Sequence, residues 1–267
     1  MTPDRYSHGH HESVLRSHRW RTADNSAAFL LAHLSDGLSI LDVGCGPGNI
    51  TAELASRVGS AKVIGIDLSK EVIARAKSEF ESLDRENLSF DVGDVYGLDF
   101  SDGCFDVVYA HQVLQHLSDP VAALGEMRRV LKPGGLLAVR DADYSAFVWL
   151  PGDPVLTHWL EVYQQITAKN HANADAGRHL ATWVRAAGFD ELEASSSNWT
   201  FQTPEERAWW GGLWADRVRL SDFAQQAIEY GVATDDELEL MAQAFQRWAN
   251  DPKGVFVVVH GEILARR

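Results

Sequence analysis

From residue 25 to about residue 140 two hydrophobic patterns alternate along the chain. Unbroken apolar runs occur at SILDV (39–43), KVIGIDLS (62–69), LSFDVGD (88–94), FDVVYAHQV (105–113) and LLAVRDAD (136–143). Between them apolar residues return every three or four positions, in NITAELASRV (49–58), KEVIARAKSEFESLDR (70–85) and DPVAALGEMRRVLKPGG (119–135). The runs predict strands and the intervening segments amphipathic helices, the last stopped by Pro-Gly-Gly. An earlier segment, NSAAFLLAHLSD (25–36), also reads as a helix, with Asn25 as its N-cap. Continuously apolar strands separated by helices belong to a parallel sheet covered on both faces.

After residue 145 the alternation ends. DPVLTHWLEVYQQITAKNHANA (153–174) and GRHLATWVRAAGF (177–189) read as helices, and ELEASSSNWTFQT (191–203) as a strand. Residues 205–250 read as two or three helices and GVFVVVHGEILARR (254–267) as a final strand. No repeat, low-complexity linker or domain break is visible. The late helices are expected to lie over the carboxyl edge of the sheet, where open α/β folds bind ligands.

Composition narrows the partners. A chain of 267 residues, 45% of them hydrophobic, can build one sizeable α/β domain. Its formal charge of −14 repels phosphate backbones, which disfavours a nucleic-acid substrate. No apolar run approaches the roughly 18 residues of a membrane span, and the polar N-terminus lacks the centre of a secretory signal. Cys45 and Cys104 are the only cysteines, too few to complete a zinc site. A cytoplasmic protein, monomeric or homodimeric and without membrane association, is expected.

The first strand runs into ILDVGCGPGNIT (40–51), three glycines in five positions immediately before a helix. Such a loop lets the backbone approach a ligand closely. The dinucleotide fingerprint is G-x-G-x-x-G, but here the pattern is G-x-G-x-G, with Asn49 where the third dinucleotide glycine would stand. Asp67, ending the second strand, suits the two hydroxyls of an adenosine ribose, which either class of cofactor carries.

LDVGCGPGNIT, VIGIDLS, GDVYGLDF, FDVVYAHQVLQHLSDP and VLKPGG resemble, in order and spacing, the successive motifs of class I S-adenosylmethionine-dependent methyltransferases. The nearest resemblance is to the ubiquinone- and menaquinone-biosynthesis-type enzymes acting on small molecules. It covers roughly residues 38–140 and weakens beyond 145. It implies a Rossmann-like α/β fold with a seven-stranded, mostly parallel sheet whose last strand is antiparallel, flanked by helices and closed by a helical cap. It implies S-adenosylmethionine as cofactor, held by Asp42, Gly44, Cys45, Gly46 and Gly48 at the methionine end. Asp67 would hold the ribose, Leu68, Asp94 and Val95 the adenine, and Ala110 and His111 the amino group or sulfonium. The N-terminal segment, residues 1–24, would form a lid bringing Tyr6, His10, His11, His18 and Arg21 over the cofactor. Residues 25–144 would be the cofactor-binding core and 145–267 the substrate side, with 205–250 as an insertion. The alternative for the N-terminal segment is a polar surface helix, since it shows no apolar stripe.

Methyl transfer from a sulfonium is an in-line displacement, in which orientation is the main task. A base helps where the nucleophile carries a proton. His111, His116 and Asp141 are the candidate catalytic residues, with Asp143 and Tyr144 beside them. For His116 packing after the fourth strand is the alternative role, and for RDADYS (140–145) a solvated turn. Trp210 and Trp214, at i and i+4, are expected in core, or else in the wall of a pocket to which Trp149, Trp159 and Tyr163 could contribute. The expected function is methylation of an oxygen or carbon of a metabolite or natural product. Its rivals are nicotinamide-dependent oxidation, a non-catalytic cofactor-binding partner protein, and methylation of a peptide or protein carboxylate.

Overall fold

The computed structural model describes residues 4–7, 9, 11–83 and 85–267. The five apolar runs form β1 (Ile40–Val43), β2 (Val63–Asp67), β3 (Leu88–Val92), β4 (Phe105–His111) and β5 (Leu131–Ala142). A short β6 (Val148–Leu150), β7 (Glu191–Phe201) and β8 (Val255–Arg266) complete the sheet, in the order β3-β2-β1-β4-β5-β8. β7 pairs with β8 from Phe256 to Arg266, while β6 pairs with its first residues, 255–257. β1 to β5 are parallel, and β8 alone runs against them. The sheet therefore has eight strands, one more than expected. β6 escaped the sequence because it is only three residues long and its Val148 and Leu150 are exposed.

Side chains alternate between two covered faces, as the pleat requires. Ile40, Val63, Val107, Tyr109 and Ala138 pack with α2 (Ala23–Ser26), α3 (Ala28–Leu31) and α4 (Asn49–Ala55). Leu41, Val43, Ile66, Val108, Ala110 and Val139 pack with α6 (Pro120–Val130) and α8 (Ala176–Ala186). α5 (Lys70–Phe80) covers the β2–β3 edge, where Ile73 and Ala76 meet Phe90. The expected helix over 25–36 is broken at Ala27, and Thr22, not Asn25, is the first cap. Asn25 instead closes a capping box by accepting from the Thr22 N–H.

The cap is larger than the expected insertion. α9 (Pro204–Leu220), α10 (Asp222–Glu229) and α11 (Asp235–Asn250) share one aromatic cluster with α7 (Pro154–Lys169) and with Phe256 and Val258 of β8. α1 (Glu12–Arg19) buries Val14 and Leu15 and packs against α9. The N-terminal segment thus has a short apolar face after all, one its few apolar residues did not reveal.

Candidate active site

β1 lies between β2 and β4, and at this reversal of strand order the carboxyl ends open into a cavity of about 900 Å³. One half of its wall is acidic. Asp67, at the tip of β2, accepts from Gly46 N (3.2 Å) through Oδ2 and from Ser69 N (2.9 Å) through Oδ1. Asp42 ends nearby, buried, and accepts from Thr51 Oγ1 at 2.6 Å. Burial pushes the Asp42 carboxyl up to about 7, against the Thr51 hydrogen bond. Asp94 accepts from Tyr96 N at 2.9 Å, and Cys45, Val95 and a 62% exposed Leu68 line the same half.

The three loop glycines divide the work. A side chain on Gly44 would strike Val113, and a Cβ on Gly48 would stand 2.6 Å from the Phe90 ring at φ +89°. These two serve packing and backbone conformation. Gly44 and Gly46 both line the cavity, but only at Gly46 does a built Cβ meet open space, with His18 Nδ1 nearest at 3.7 Å. Gly48 is off the cavity wall, which corrects the expected contact.

The other half of the wall is aromatic and cationic. Tyr144, Phe147, Trp199, Trp210, Trp214 and Val258 line it, with Arg21 and Arg217 among them. Trp210 and Trp214 are both core and wall, whereas Trp149, Trp159 and Tyr163 stand one layer back, Tyr163 stacked on Tyr144 at 4.1 Å. Beneath lies a polar chain. The guanidinium of Arg140, paired with Glu262 at 3.1 Å, donates to His260 Nδ1 (3.0 Å), and His260 Nε2 meets the Gln112 amide (2.8 Å). Gln112 Oε1 in turn accepts from Arg21 Nη2 at 2.6 Å. The chain begins and ends on guanidiniums, which only donate. Three contacts need three acceptors, and the imidazole and amide supply two. Arg21 Nε has no partner either. Gln112 stands at φ +54°, a conformation that side-chain-bearing residues hold only when the surroundings demand it.

The expected catalytic residues fare differently. His111 and His116 line the cavity. Burial and then the Arg140 and Arg21 guanidiniums hold His111 well below the ordinary imidazole range. Burial, then Arg21, pushes His116 down to about 3. Both rings are neutral at physiological pH, and a second proton beside these guanidiniums is unfavourable, so neither is a strong base. Asp141 lies off the cavity, fully buried, accepting from Gln115 N at 3.1 Å. Its neighbour Asp143 is held by Arg178 at 2.6 Å. Ala110 points into the core with Val43 and Val139, because alternation along β4 sends Val107, Tyr109 and His111 to the other face.

The N-terminal segment closes over the loop. Tyr6 and His18 line the cavity, and Tyr6 stands edge-on to His116 at 4.6 Å. Asp4 accepts from Ser118 N (3.1 Å) and from the Tyr96 hydroxyl (2.6 Å). Asn49 Nδ2 donates to Arg19 O at 3.3 Å. His11 is a helix cap, its Nδ1 accepting from Ser13 N, and His10 lies outside the described residues. Sequence reasoning missed Gln112, Trp199, Arg217 and His260. Only Arg217 had a signal: it extends the Trp210–Trp214 face by one turn, a basic residue on an apolar stripe.

Burial pushes the Asp141 carboxyl up to about 7 from 3.8. The folded state therefore keeps a proton that the unfolded state gives up. The stability it contributes is full below about pH 4 and is lost as pH rises toward 7. Asp141→Asn should narrow the fall in melting temperature between about pH 5 and about pH 8 by roughly 5 °C, from on the order of 2 kcal/mol. Asp42 preserves the rest of the slope. An unchanged fall would show that Asp141 stays ionised.

Comparison with known proteins agrees with the geometry. A family model described as a methyltransferase domain matches residues 34–208. An uncharacterized methyltransferase of Schizosaccharomyces pombe is 35% identical over 98% of this chain and 96% of its own length. The O-methyltransferase cnsE of Penicillium expansum is 35% identical over 60% of this chain and 55% of its own. The crystal structure of YcgJ from Bacillus subtilis shares the fold, with a TM-score of 0.59 at 22% identity, over 90% of this chain and 97% of that one. No helix among the described residues is long and apolar enough to cross a membrane. With the family model spanning most of the sequence and a relative matched from end to end, the chain belongs to the class I S-adenosylmethionine-dependent methyltransferases.

Proposed function

We propose that the acidic half of the cavity holds S-adenosylmethionine and that the aromatic half holds a small, flat acceptor methylated on oxygen. The observation that carries this reading is Asp67. Two backbone N–H groups fix the direction of its carboxylate on the cavity wall, where a ribose diol can donate to it. Gly46 offers a bare backbone face, Leu68 an exposed apolar surface for a nucleobase, and Arg21 an unpaired buried donor for a carboxylate. When bound, the sulfonium supplies an electrophilic methyl group.

The protein's own share is orientation and exclusion of water. Tyr6 and His18 close one side, and the aromatic wall fixes the acceptor plane. Such positioning accounts for much of the rate in a displacement at an activated carbon. His111 and His116 are weak bases, and Asp42 lines the donor half, while Arg217 makes the acceptor half positive. That field favours an acceptor hydroxyl in its ionised form, so oxygen nucleophiles of low pKa fit best. The named O-methyltransferase relative supports the same atom.

Calorimetry tests the reading. S-adenosylmethionine and S-adenosylhomocysteine should bind, and NAD should not. Tighter binding of NAD than of either sulfur compound would overturn it.

A further inference from the structure

The donor carries one carboxylate, but the cavity wall carries two guanidiniums, Arg21 and Arg217, that form no ion pair with a described carboxylate. Arg21, beside Gln112 at the end of β4, can take the first. Arg217 is left. It is only 5% exposed, and no described carboxylate lies within ion-pair distance of it. Its Nη2 donates to Ser13 O (3.3 Å) and Ser17 Oγ (2.9 Å), and among the described residues its buried Nε has no partner. The guanidinium lies over the Trp214 ring at 4.6 Å, which holds it flat against the acceptor wall. Burying an unpaired cation is costly, and packing does not require it: a methionine would fill the same space.

Resting on the reading above, we infer that Arg217 is the receptor for an oxyanion on an aromatic acceptor, either a ring carboxylate or an ionised ring hydroxyl. The placement separates it from the donor site. Arg217 stands in the cap on α9 among Trp210, Trp214 and Tyr144, while Asp42, Asp67 and Asp94 line the opposite half. Those acids would repel an anionic acceptor there, so the two halves select opposite charges. The two serines that hold Nη2 belong to α1, so the receptor is complete only when the N-terminal segment is seated.

The test uses the full chain saturated with S-adenosylhomocysteine, with tryptophan fluorescence as the readout, since Trp210 and Trp214 line the wall. Benzoate should bind at least about tenfold more tightly than benzamide, the ratio expected of one charge-assisted contact, if the source is a carboxylate. If the source is an ionised hydroxyl, bound 4-nitrophenol should show its phenolate absorption at a pH where the free compound is mainly neutral. Arg217→Met should abolish whichever preference is seen without changing the affinity for S-adenosylhomocysteine, and Arg217→Lys should retain part of it. Equal binding of benzoate and benzamide together with no phenolate signal overturns the inference, and this needs no variant to fold. A preference that survives in Arg217→Met also overturns it. Failure of S-adenosylhomocysteine itself to bind would instead strike the donor assignment.

Discussion

Replacing Asp67 with Ala weakens S-adenosylhomocysteine binding by about tenfold to a hundredfold and leaves the protein folded. The carboxylate ends β2 and is held at two oxygens by Gly46 N and Ser69 N, so its direction is fixed. A hydrogen bond from a ribose hydroxyl to a carboxylate is worth about 1.5–3 kcal/mol, and about 1.4 kcal/mol is a factor of ten. Alanine removes these bonds and also releases the Gly46 amide, which loosens the loop that faces the methionine end. Stability changes little, because Asp67 is half-buried and water can replace it on both N–H groups. Calorimetry and a melting curve on the same sample separate the two effects. An unchanged dissociation constant would place the ribose elsewhere.

Deleting residues 1–18 lowers turnover by about a hundredfold or more, well beyond its effect on melting temperature. The segment supplies Tyr6 and His18 to the cavity wall and, through Ser13 and Ser17, the hydrogen bonds that hold Arg217. Without it the cavity opens to water and the acceptor receptor loses its support. The effect on stability is smaller, because α1 buries just two large apolar side chains, Val14 and Leu15, and the entropy of ordering the segment offsets that gain. The measurements are single turnover on an aromatic acceptor and hydrogen exchange in the intact chain. S-adenosylhomocysteine should slow exchange over residues 11–20. Normal turnover of the truncated protein, with exchange indifferent to the ligand, would reduce the segment to a tail.

The sequence by itself determined the parallel core and the position of Asp67. Strands buried on both faces must be apolar at every position, so the five runs stand out, and a carboxylate at a strand end is a local feature. The glycine loop was legible as a loop, but not in its division of labour: Gly44 and Gly48 meet Val113 and Phe90, residues distant in the chain. Because both faces of the sheet are covered, an unbroken apolar strand does not show that Ala110 faces the core while His111 meets the cavity. The same ambiguity hid Asp141, which tertiary packing put behind Gln115 and away from the chemistry. The cationic half of the site was the least legible. Arg21, Gln112, Arg140, Arg217 and His260 come from separate elements and carry no shared spacing. Only the antiparallel pairing of β8 with β5, and the packing of α1 and α9 over that edge, bring their charges within reach of one another.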